Sequence, residues 1–427
     1  MGKLLSIRFK PIMVGLIVFM LLTGCMSSYA LPKDSSELSQ LNLKKLLQKN
    51  IKQYDIPGAV LAVTLGNGQT SIVKAGDAQI KPRQAISDHQ LFSIGSVTKL
   101  FTATTIMQLI DQYPLQLQDT LAVIAKRHSH SDLHSLVKQY PHLRHITLKQ
   151  LLNHTSGLHG AVNSDRFAKL FNQNPLKVWS QRKLIKLSLS QKPYFKPGAK
   201  GKFHYTSVDY YLVGKVITAV TGKPAYQVIN KMVHQVGLKH TYIPHTQPQL
   251  PKWVVSHLAQ GYMTPQQPLG WSKTMINTLK NTVSHISFKN NGDTLTLYNV
   301  TPICKRYMQY AFPAGGIIST PSDISLFYHK LFNGDIVGSQ ALKQIITGTP
   351  VNASLDYGLG IFINKLDAYK HLTVYYHGGD MPGYRAMAVF IPRYNMAIAI
   401  MTNLETAHLD SLTTGLMADV LHRVLAI

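Results

Sequence analysis

Ser96 and Lys99 stand three residues apart in Gly95-Ser96-Val97-Thr98-Lys99. On a helix that spacing places a hydroxyl and an amine on one face. A serine hydroxyl is a weak nucleophile until a neighbouring base takes its proton. Lysine becomes such a base once burial or a nearby cation lowers its pKa toward neutrality. The chemistry this pair could do is acyl transfer through serine. The same pattern recurs at Ser71/Lys74 and Ser180/Lys183, as chance allows in a chain rich in both residues. Context separates the three. Ser71 lies in a strand-like run, where residues three apart point to opposite faces. Ser180 sits in a lysine-rich stretch without a strong apolar face behind it. Ser96 opens a helical pattern that reaches Asp111, with Val97, Leu100, Phe101, Ile106, Leu109 and Ile110 apolar. Free backbone N–H groups at that helix start favour negative charge beside the serine.

The elements that must position this pair can be read on either side of it. Ser35 to Ile56 has the spacing of an amphipathic helix, with Leu38, Leu41, Leu43, Leu46, Leu47 and Ile51 apolar. A strand-like run from Gly58 to Leu65, a turn at Gly66-Asn67-Gly68 and a returning strand from Thr70 to Ala75 follow. Helices dominate the middle, for example Tyr210 to Val220, stopped at Thr221-Gly222. Strands return at Leu372 to Tyr376, Ala386 to Ile391 and Met396 to Thr402, before a last helix from about Leu409 to Val424. The expected class is α/β of the α+β kind. An antiparallel sheet built from both chain ends is flanked by helices, with a mostly helical domain inserted.

Five separated elements carry more than periodicity. Ser96-Val97-Thr98-Lys99 comes first, then Ile146-Thr147-Leu148-Lys149-Gln150-Leu151-Leu152-Asn153-His154-Thr155-Ser156-Gly157-Leu158. Phe203-His204-Tyr205-Thr206-Ser207 precedes Tyr211-Leu212-Val213-Gly214, and Ala314-Gly315-Gly316-Ile317-Ile318-Ser319-Thr320 precedes Asp323. His377-Gly378-Gly379-Asp380 with Pro382-Gly383-Tyr384 closes the series. In this order they resemble the serine β-lactamases and penicillin-binding-protein-like hydrolases, particularly the class C β-lactamase and D,D-peptidase branch. The resemblance runs from about Ile56 to Asn403. It implies a β-lactamase/transpeptidase-like fold, acylation at Ser96 and help from Lys99 in deprotonating it. It further implies that Tyr205 shuttles the proton to and from the leaving group, provided clustered cations stabilise its phenolate. The backbone N–H groups of Ser96 and Asp380, with Gly378 and Gly379 beside them, would form the oxyanion hole. His377 would face the substrate carboxylate or assist proton transfer; a satisfied structural histidine is the other reading.

Two positions depart from the family pattern. Ser207 stands where many members have asparagine, so a short hydroxyl replaces an amide that could hold a substrate carbonyl. His377 stands where β-lactamases usually place lysine, exchanging a fixed cation for a group largely neutral at pH 7. Both changes fit the peptidase and esterase members better than an efficient β-lactamase.

Composition sets the setting. The chain has 427 residues, 45% of them hydrophobic, which excludes a disordered protein. Its two cysteines exclude a disulfide framework and a multi-cysteine zinc site. Lys3, Arg8 and Lys10 precede an apolar run from Pro11 to Leu22, too short for a comfortable membrane span and read as an export signal. The run ends in Leu22-Thr23-Gly24-Cys25, which resembles a bacterial lipobox and implies lipidation of Cys25. Cleavage after Ser28-Tyr29-Ala30 is the plainer alternative. On the lipobox reading, residues 1–24 are a lipoprotein signal peptide and 25–34 a tether. Residues 35–427 are then the catalytic domain, with a sheet subdomain at about 35–95 and 293–427 and a basic helical subdomain at about 96–292.

That middle unit carries most of a formal charge of +25. Residues 166–292 hold 18 basic side chains and one acid, Asp209. An export signal argues against nucleic acid, and the aromatics are not interleaved with the basic residues as a stacking platform requires. The expected partner of this face is an anionic envelope surface; a merely solvated basic surface is the alternative. His128, His130 and His134 lie close together but lack a Cys or Glu to complete a metal set. Gly315-Gly316 lacks the rest of a phosphate loop, and Ser96 lacks the Gly-x-Ser-x-Gly elbow.

The expected protein is a cell-envelope serine hydrolase, using an acyl-Ser96 intermediate and neither metal nor organic cofactor. Its expected substrates are D-amino-acid peptides of cell-wall type, as in a D,D-carboxypeptidase or endopeptidase, or small esters and amides. The alternatives are a class C-like β-lactamase and a non-catalytic sensor that binds penicillin or wall material without turnover. Its expected place is the bacterial envelope or periplasm, membrane-anchored through the lipid on Cys25.

Overall fold

The computed structural model describes residues 43–405, apart from 162–163, 175, 178, 245–248, 265–276, 279, 291 and 367–371. The signal region, Cys25 and the helix expected at Leu409 to Val424 lie outside the described residues. So does the first part of the helix expected from Ser35, whose described portion is α1 (Leu43–Gln53).

The sheet begins with β1 (Gly58–Thr64), β2 (Thr70–Gln79) and β3 (Gln84–Ala85). It is completed by β9 (Thr349–Pro350), β10 (Leu355–Tyr357), β11 (Phe362–Leu366), β12 (Leu372–Met381), β13 (Tyr384–Ile391) and β14 (Met396–Thr402). Its nine strands run in the order β3-β2-β1-β14-β13-β12-β11-β10-β9. The two chain ends meet where β1 pairs antiparallel with β14, Leu61 opposite Ile400.

Both central strands are buried along their whole length, which explains why they read as continuous apolar runs. Ala59, Leu61, Val63, Ile398 and Ile400 face α1 through Leu43 and Leu47. Val60, Ala397 and Ala399 join the main core on the other side. There α6 (Pro321–Phe332) lies against β1 and β14, and Ser325 accepts a hydrogen bond from Thr64 at 2.8 Å.

The remaining labelled helices are α2 (Thr98–Ile110), α3 (Leu148–Leu152), α4 (Gln181–Leu189) and α5 (Ser207–Thr221). Phe101 of α2 stacks on Phe327 of α6 with ring centroids 3.8 Å apart, tying the helix that follows Ser96 to the sheet. A short pair, β4 (Phe92–Ser93) and β8 (Ile318–Ser319), holds the approach to that helix.

Residues 96–292, expected to be mostly helical, also hold strands. They include β5 (Tyr262–Met263) and β6 (His285–Asn290), which form a second sheet with β7 (Asp293–Asn299) and β15 (Leu404–Glu405). The boundary at 292/293 cuts the β6–β7 hairpin, in which Asn290 pairs with Asp293. Charge had marked that boundary, and charge reports the solvated surface rather than backbone pairing. One cluster joins Val60 and Ala399 of the sheet to Leu148 and Ile185 of the helical region, so the two subdomains share a core.

Candidate active site

Ser96 sits in a 3₁₀ turn, Gly95–Val97, that leads directly into α2. The turn is pinned by Ile94 N–H donating to the Ile317 carbonyl at 3.0 Å. Gly95 has φ +50, and a Cβ there would lie 2.4 Å from the backbone nitrogen of Asp380. A Cβ on Gly379 would lie 1.9 Å from the Ile94 carbonyl oxygen and 3.3 Å from the Ser96 nitrogen. Only glycine permits this approach, which brings the Ser96 and Asp380 amides to one seam between the turn and β12. Strand β12 runs on to Met381, past its expected end at Tyr376, and so carries His377, Gly378, Gly379 and Asp380 in its final turnless stretch. The exposed Asp380 side chain pairs with Arg385 on the neighbouring strand.

Lys99 lies one helical turn beyond Ser96 and has no exposed surface. Its Nζ reaches Ser96 Oγ at 2.9 Å and donates to the Ala314 carbonyl at 2.9 Å. It also stands 4.7 Å above the ring of Tyr205. Burial pushes its pKa down to about 7, with the charge of Asp209 acting in the opposite sense. A lysine in this state is an acceptor for the serine proton near neutral pH.

Tyr205 hydrogen-bonds the Ser96 side chain, and burial raises its pKa above the usual phenol value. The expected phenolate therefore does not fit. The cation over its ring is Lys99, which burial itself moves toward neutrality, so Tyr205 stays a phenol that can donate a proton.

His377 is 2% exposed, and both ring nitrogens have partners. Nδ1 meets the Gly378 carbonyl at 2.6 Å and Nε2 meets the Tyr357 hydroxyl at 3.1 Å. Burial, aided by the charge of Lys99, pushes its pKa down to about 3. A neutral imidazole donating from Nδ1 and accepting at Nε2 satisfies both contacts. The expectation that His377 faces a substrate carboxylate is corrected accordingly: a buried, neutral and fully engaged ring offers that group no cation. Its ring packs 6.1 Å from Tyr205. Ser207 opens α5 two residues beyond Tyr205 and, among the described residues, makes no hydrogen bond to this cluster.

The residues missed by the sequence reading lie behind Tyr205. His154, fully buried at φ +59, places Nδ1 2.8 Å from Asp209 Oδ2. Ser156 donates to Asp209 Oδ1 at 2.6 Å, and the His154 carbonyl accepts from His204 N–H at 3.0 Å. The His154 ring lies 4.4 Å from that of Tyr205, and the main chain of Tyr205 is thereby fixed by its neighbours on both sides. Burial raises the Asp209 pKa and lowers that of His154, so the pair holds a shared proton at little net charge. Asp209 is the single acid among residues 166–292, but nothing in its local sequence points to His154.

The other two Ser-x-x-Lys sequences build nothing similar. Ser71 and Lys74 lie on β2, and Lys74 pairs with Asp88 at 3.0 Å. Ser180 caps α4, accepting from the Lys183 backbone N–H. Among the described residues, no group of three or more His, Cys, Asp or Glu side chains could hold a metal.

A family model described as Beta-lactamase matches residues 43–422. The chain belongs to the beta-lactamase family. A beta-lactamase of Providencia stuartii is 24% identical over 382 residues, 86% of this chain and 87% of the relative. The fold is shared with a D-stereospecific amidohydrolase from Streptomyces sp. at TM-score 0.63 and 23% identity, covering 85% of this chain and 94% of that one. It is also shared with the D-amino acid amidase of Ochrobactrum anthropi SV3 in complex with D-phenylalanine, at TM-score 0.70 and 21% identity, covering 91% and 98%. The protein is a beta-lactamase-family serine hydrolase whose large antiparallel sheet and flanking helices are those of that family.

Proposed function

We propose that this beta-lactamase-family hydrolase is exported and cleaves amide bonds next to D-amino acids through an acyl-Ser96 intermediate. The observation that carries the reading is the 2.9 Å contact between Ser96 Oγ and a fully buried Lys99 Nζ, pKa about 7. Neutral Lys99 takes the hydroxyl proton as Oγ bonds to the substrate carbonyl carbon. The carbonyl oxygen becomes an oxyanion facing the Ser96 and Asp380 amides, donors worth about 2.7–4 kcal/mol each in such sites. Tyr205 passes its phenolic proton to the departing amine nitrogen and regains one from protonated Lys99. Collapse of the tetrahedral adduct breaks the C–N bond and leaves the ester. Water then attacks the ester with the same groups working in reverse.

The substrate class rests on two supports. Neutral His377 offers no fixed cation for a β-lactam carboxylate, and the similar folds include enzymes titled D-stereospecific amidohydrolase and D-amino acid amidase. Export and a lipid on Cys25 are supported by the basic start, the apolar run and Leu22-Thr23-Gly24-Cys25. Hydrolysis of D-phenylalanine amide, its L-enantiomer, a D-alanyl-D-alanine peptide and a chromogenic cephalosporin tests the choice. Turnover of the D-amide or D,D-peptide at least tenfold above the cephalosporin is expected. Cephalosporin turnover near 10 s⁻¹ with inert D-substrates would instead make it a β-lactamase.

A further inference from the structure

Strand β12 ends beside Ser96 with Tyr376, Gly378 and Asp380 on one face, since alternate residues of a strand share a face. The three positions differ in kind. Tyr376 is partly exposed and stacks on Phe362 with ring centroids 5.4 Å apart. Phe203, also partly exposed, packs on the same apolar cluster. Gly378 brings no side chain, and a Cβ there would meet nothing nearer than the Ala386 carbonyl oxygen at 4.0 Å. Asp380 brings a carboxylate whose side chain is 57% exposed. The face therefore presents an apolar wall, an open gap and a negative charge, each about 7 Å from the next.

Asp380 is placed through both its backbone and its side chain. Its N–H faces the seam with Ser96, where the scissile carbonyl oxygen is held in the proposed reaction. Its carboxylate is steadied by Arg385, directly opposite in the β12–β13 register. Arg385 is nearly buried and also lies 3.9 Å from the buried Glu405, so one guanidinium serves two carboxylates. Of these three side chains, only that of Asp380 is well exposed. A carboxylate held in this way attracts a cation through a charge-assisted hydrogen bond and repels a substrate carboxylate. An aminoacyl amide supplies such a cation. Its α-nitrogen is two bonds from the carbonyl carbon, so an oxygen held at the Asp380 N–H brings an α-ammonium within reach of the same residue's side chain. The substituent on that α-carbon can then cross the gap at Gly378 toward Tyr376 and Phe203. An N-acylated residue carries no charge at this point.

We infer that Asp380 selects substrates whose α-amine is free, so that the enzyme releases an unblocked amino-terminal residue from its amide. The inference rests on the amide hydrolysis proposed for Ser96 and narrows it to aminoacyl amides and peptides with a free amino terminus. It sets aside carboxypeptidase substrates, whose scissile residue is acylated.

The test compares the full chain on four p-nitroanilides: those of D-phenylalanine and L-phenylalanine, each with its α-amine free or N-acetylated. The quantity read is the ratio of kcat/KM for the free amine to that for its acetylated partner. At pH 7 a ratio of about 10–100 is expected, the scale of a hydrogen bond to a charged group. The ratio should shrink as pH passes the substrate amine's own pKa, about 7.7–8.0. Titration of Lys99 cancels from it, because both partners meet the same enzyme. Asp380→Asn should bring the ratio close to 1, whereas Asp380→Glu, which keeps the charge, should retain most of it; thermal unfolding checks that each variant is folded. A native ratio near or below 1, or one that Asp380→Asn leaves unchanged, would overturn the inference. Equal rates for the two enantiomers would instead remove the D-preference of the proposed function and leave the ratio standing. Should all four resist hydrolysis, protection of Ser96 from a fluorophosphonate gives the same reading. D-phenylalanine amide should then slow labelling at a concentration where N-acetyl-D-phenylalanine amide does not, and equal protection, or none from either, would overturn the inference.

Discussion

Ser96/Lys99 and Ser180/Lys183 share one four-residue pattern and lie in opposite surroundings. At the first, the lysine has no exposed surface and its amine touches the serine oxygen at 2.9 Å. At the second, the serine oxygen is occupied by the Lys183 backbone N–H at 3.2 Å, while the Lys183 side chain is exposed and its amine lies 5.0 Å from the centroid of the buried Trp179 ring. Spacing is equal, so it cannot be what makes a base. Burial does: it removes water from the ammonium and favours the neutral amine. The 3₁₀ turn at Gly95–Val97 adds the second difference, because it hands Ser96 to the β12 seam instead of to its own helix terminus.

The sharpest way to break this contrast is to delete the nucleophile. Ser96→Ala should abolish fluorophosphonate and penicillin adducts and lower amide hydrolysis by about 10⁴-fold or more. An adduct of undiminished yield in that variant, seen by intact mass, would place the chemistry elsewhere. Lys99→Met keeps the apolar length and removes the amine; acylation should fall by about 10²–10⁴-fold. The pH dependence then identifies what was lost. The acceptor form of Lys99 is the neutral amine, whose share grows as pH rises through about 7. Labelling of the native protein should therefore climb about tenfold per pH unit below that point and level off above it. Lys99→Met should show no such limb. A native profile flat from pH 5.5 to 8.5 would remove Lys99 from the role of base.

A smaller effect is expected one layer further in, where the contrast becomes one of stability. Asp209 is buried against His154 and Ser156, and truncation to Ala strands both partners. The loss should be about 3 kcal/mol in urea unfolding, the scale for breaking a buried charged or hydrogen-bonded pair. Tyr205 would be displaced with it, because His204 and Thr206 both bond to His154. A loss under about 1 kcal/mol would show that the network is loose and that Tyr205 is positioned by other contacts.

How much of this was legible in the sequence depended on the range of the interaction. Strands β1 and β14 were read almost to the residue, since seven consecutive apolar or small side chains leave little choice for a doubly covered strand. Thr221-Gly222 ended α5 as expected, with Gly222 at φ +68. Ser96, Lys99 and Tyr205 were brought to one place, as the order of the motifs implied. The β6–β7 hairpin was hidden under a count of lysines. The state of His377 was hidden too: its partners Tyr357 and Gly378 come together only when β10 and β12 join the sheet through β11. His154 and Asp209 are 55 residues apart, and nothing local in either segment names the other.

The mildest perturbation tests the other side of the contrast. If Ser180 is only a helix cap, Ser180→Ala must leave labelling, its pH limb and hydrolysis unchanged. What it should cost is stability, because the Lys183 N–H loses the capping hydroxyl at the first turn of α4 and keeps only the Ser180 carbonyl. Caps of this kind contribute about 1 kcal/mol, which urea unfolding resolves. Ser180→Asp separates the cap from any wider role of the hydroxyl. It restores an acceptor and adds a negative charge at the helix N-terminus, so stability should return to the native value or slightly exceed it. A drop in acylation with either variant, at unchanged stability, would mean that this pattern does chemistry without burial. The explanation given for Lys99 would then fail at its root.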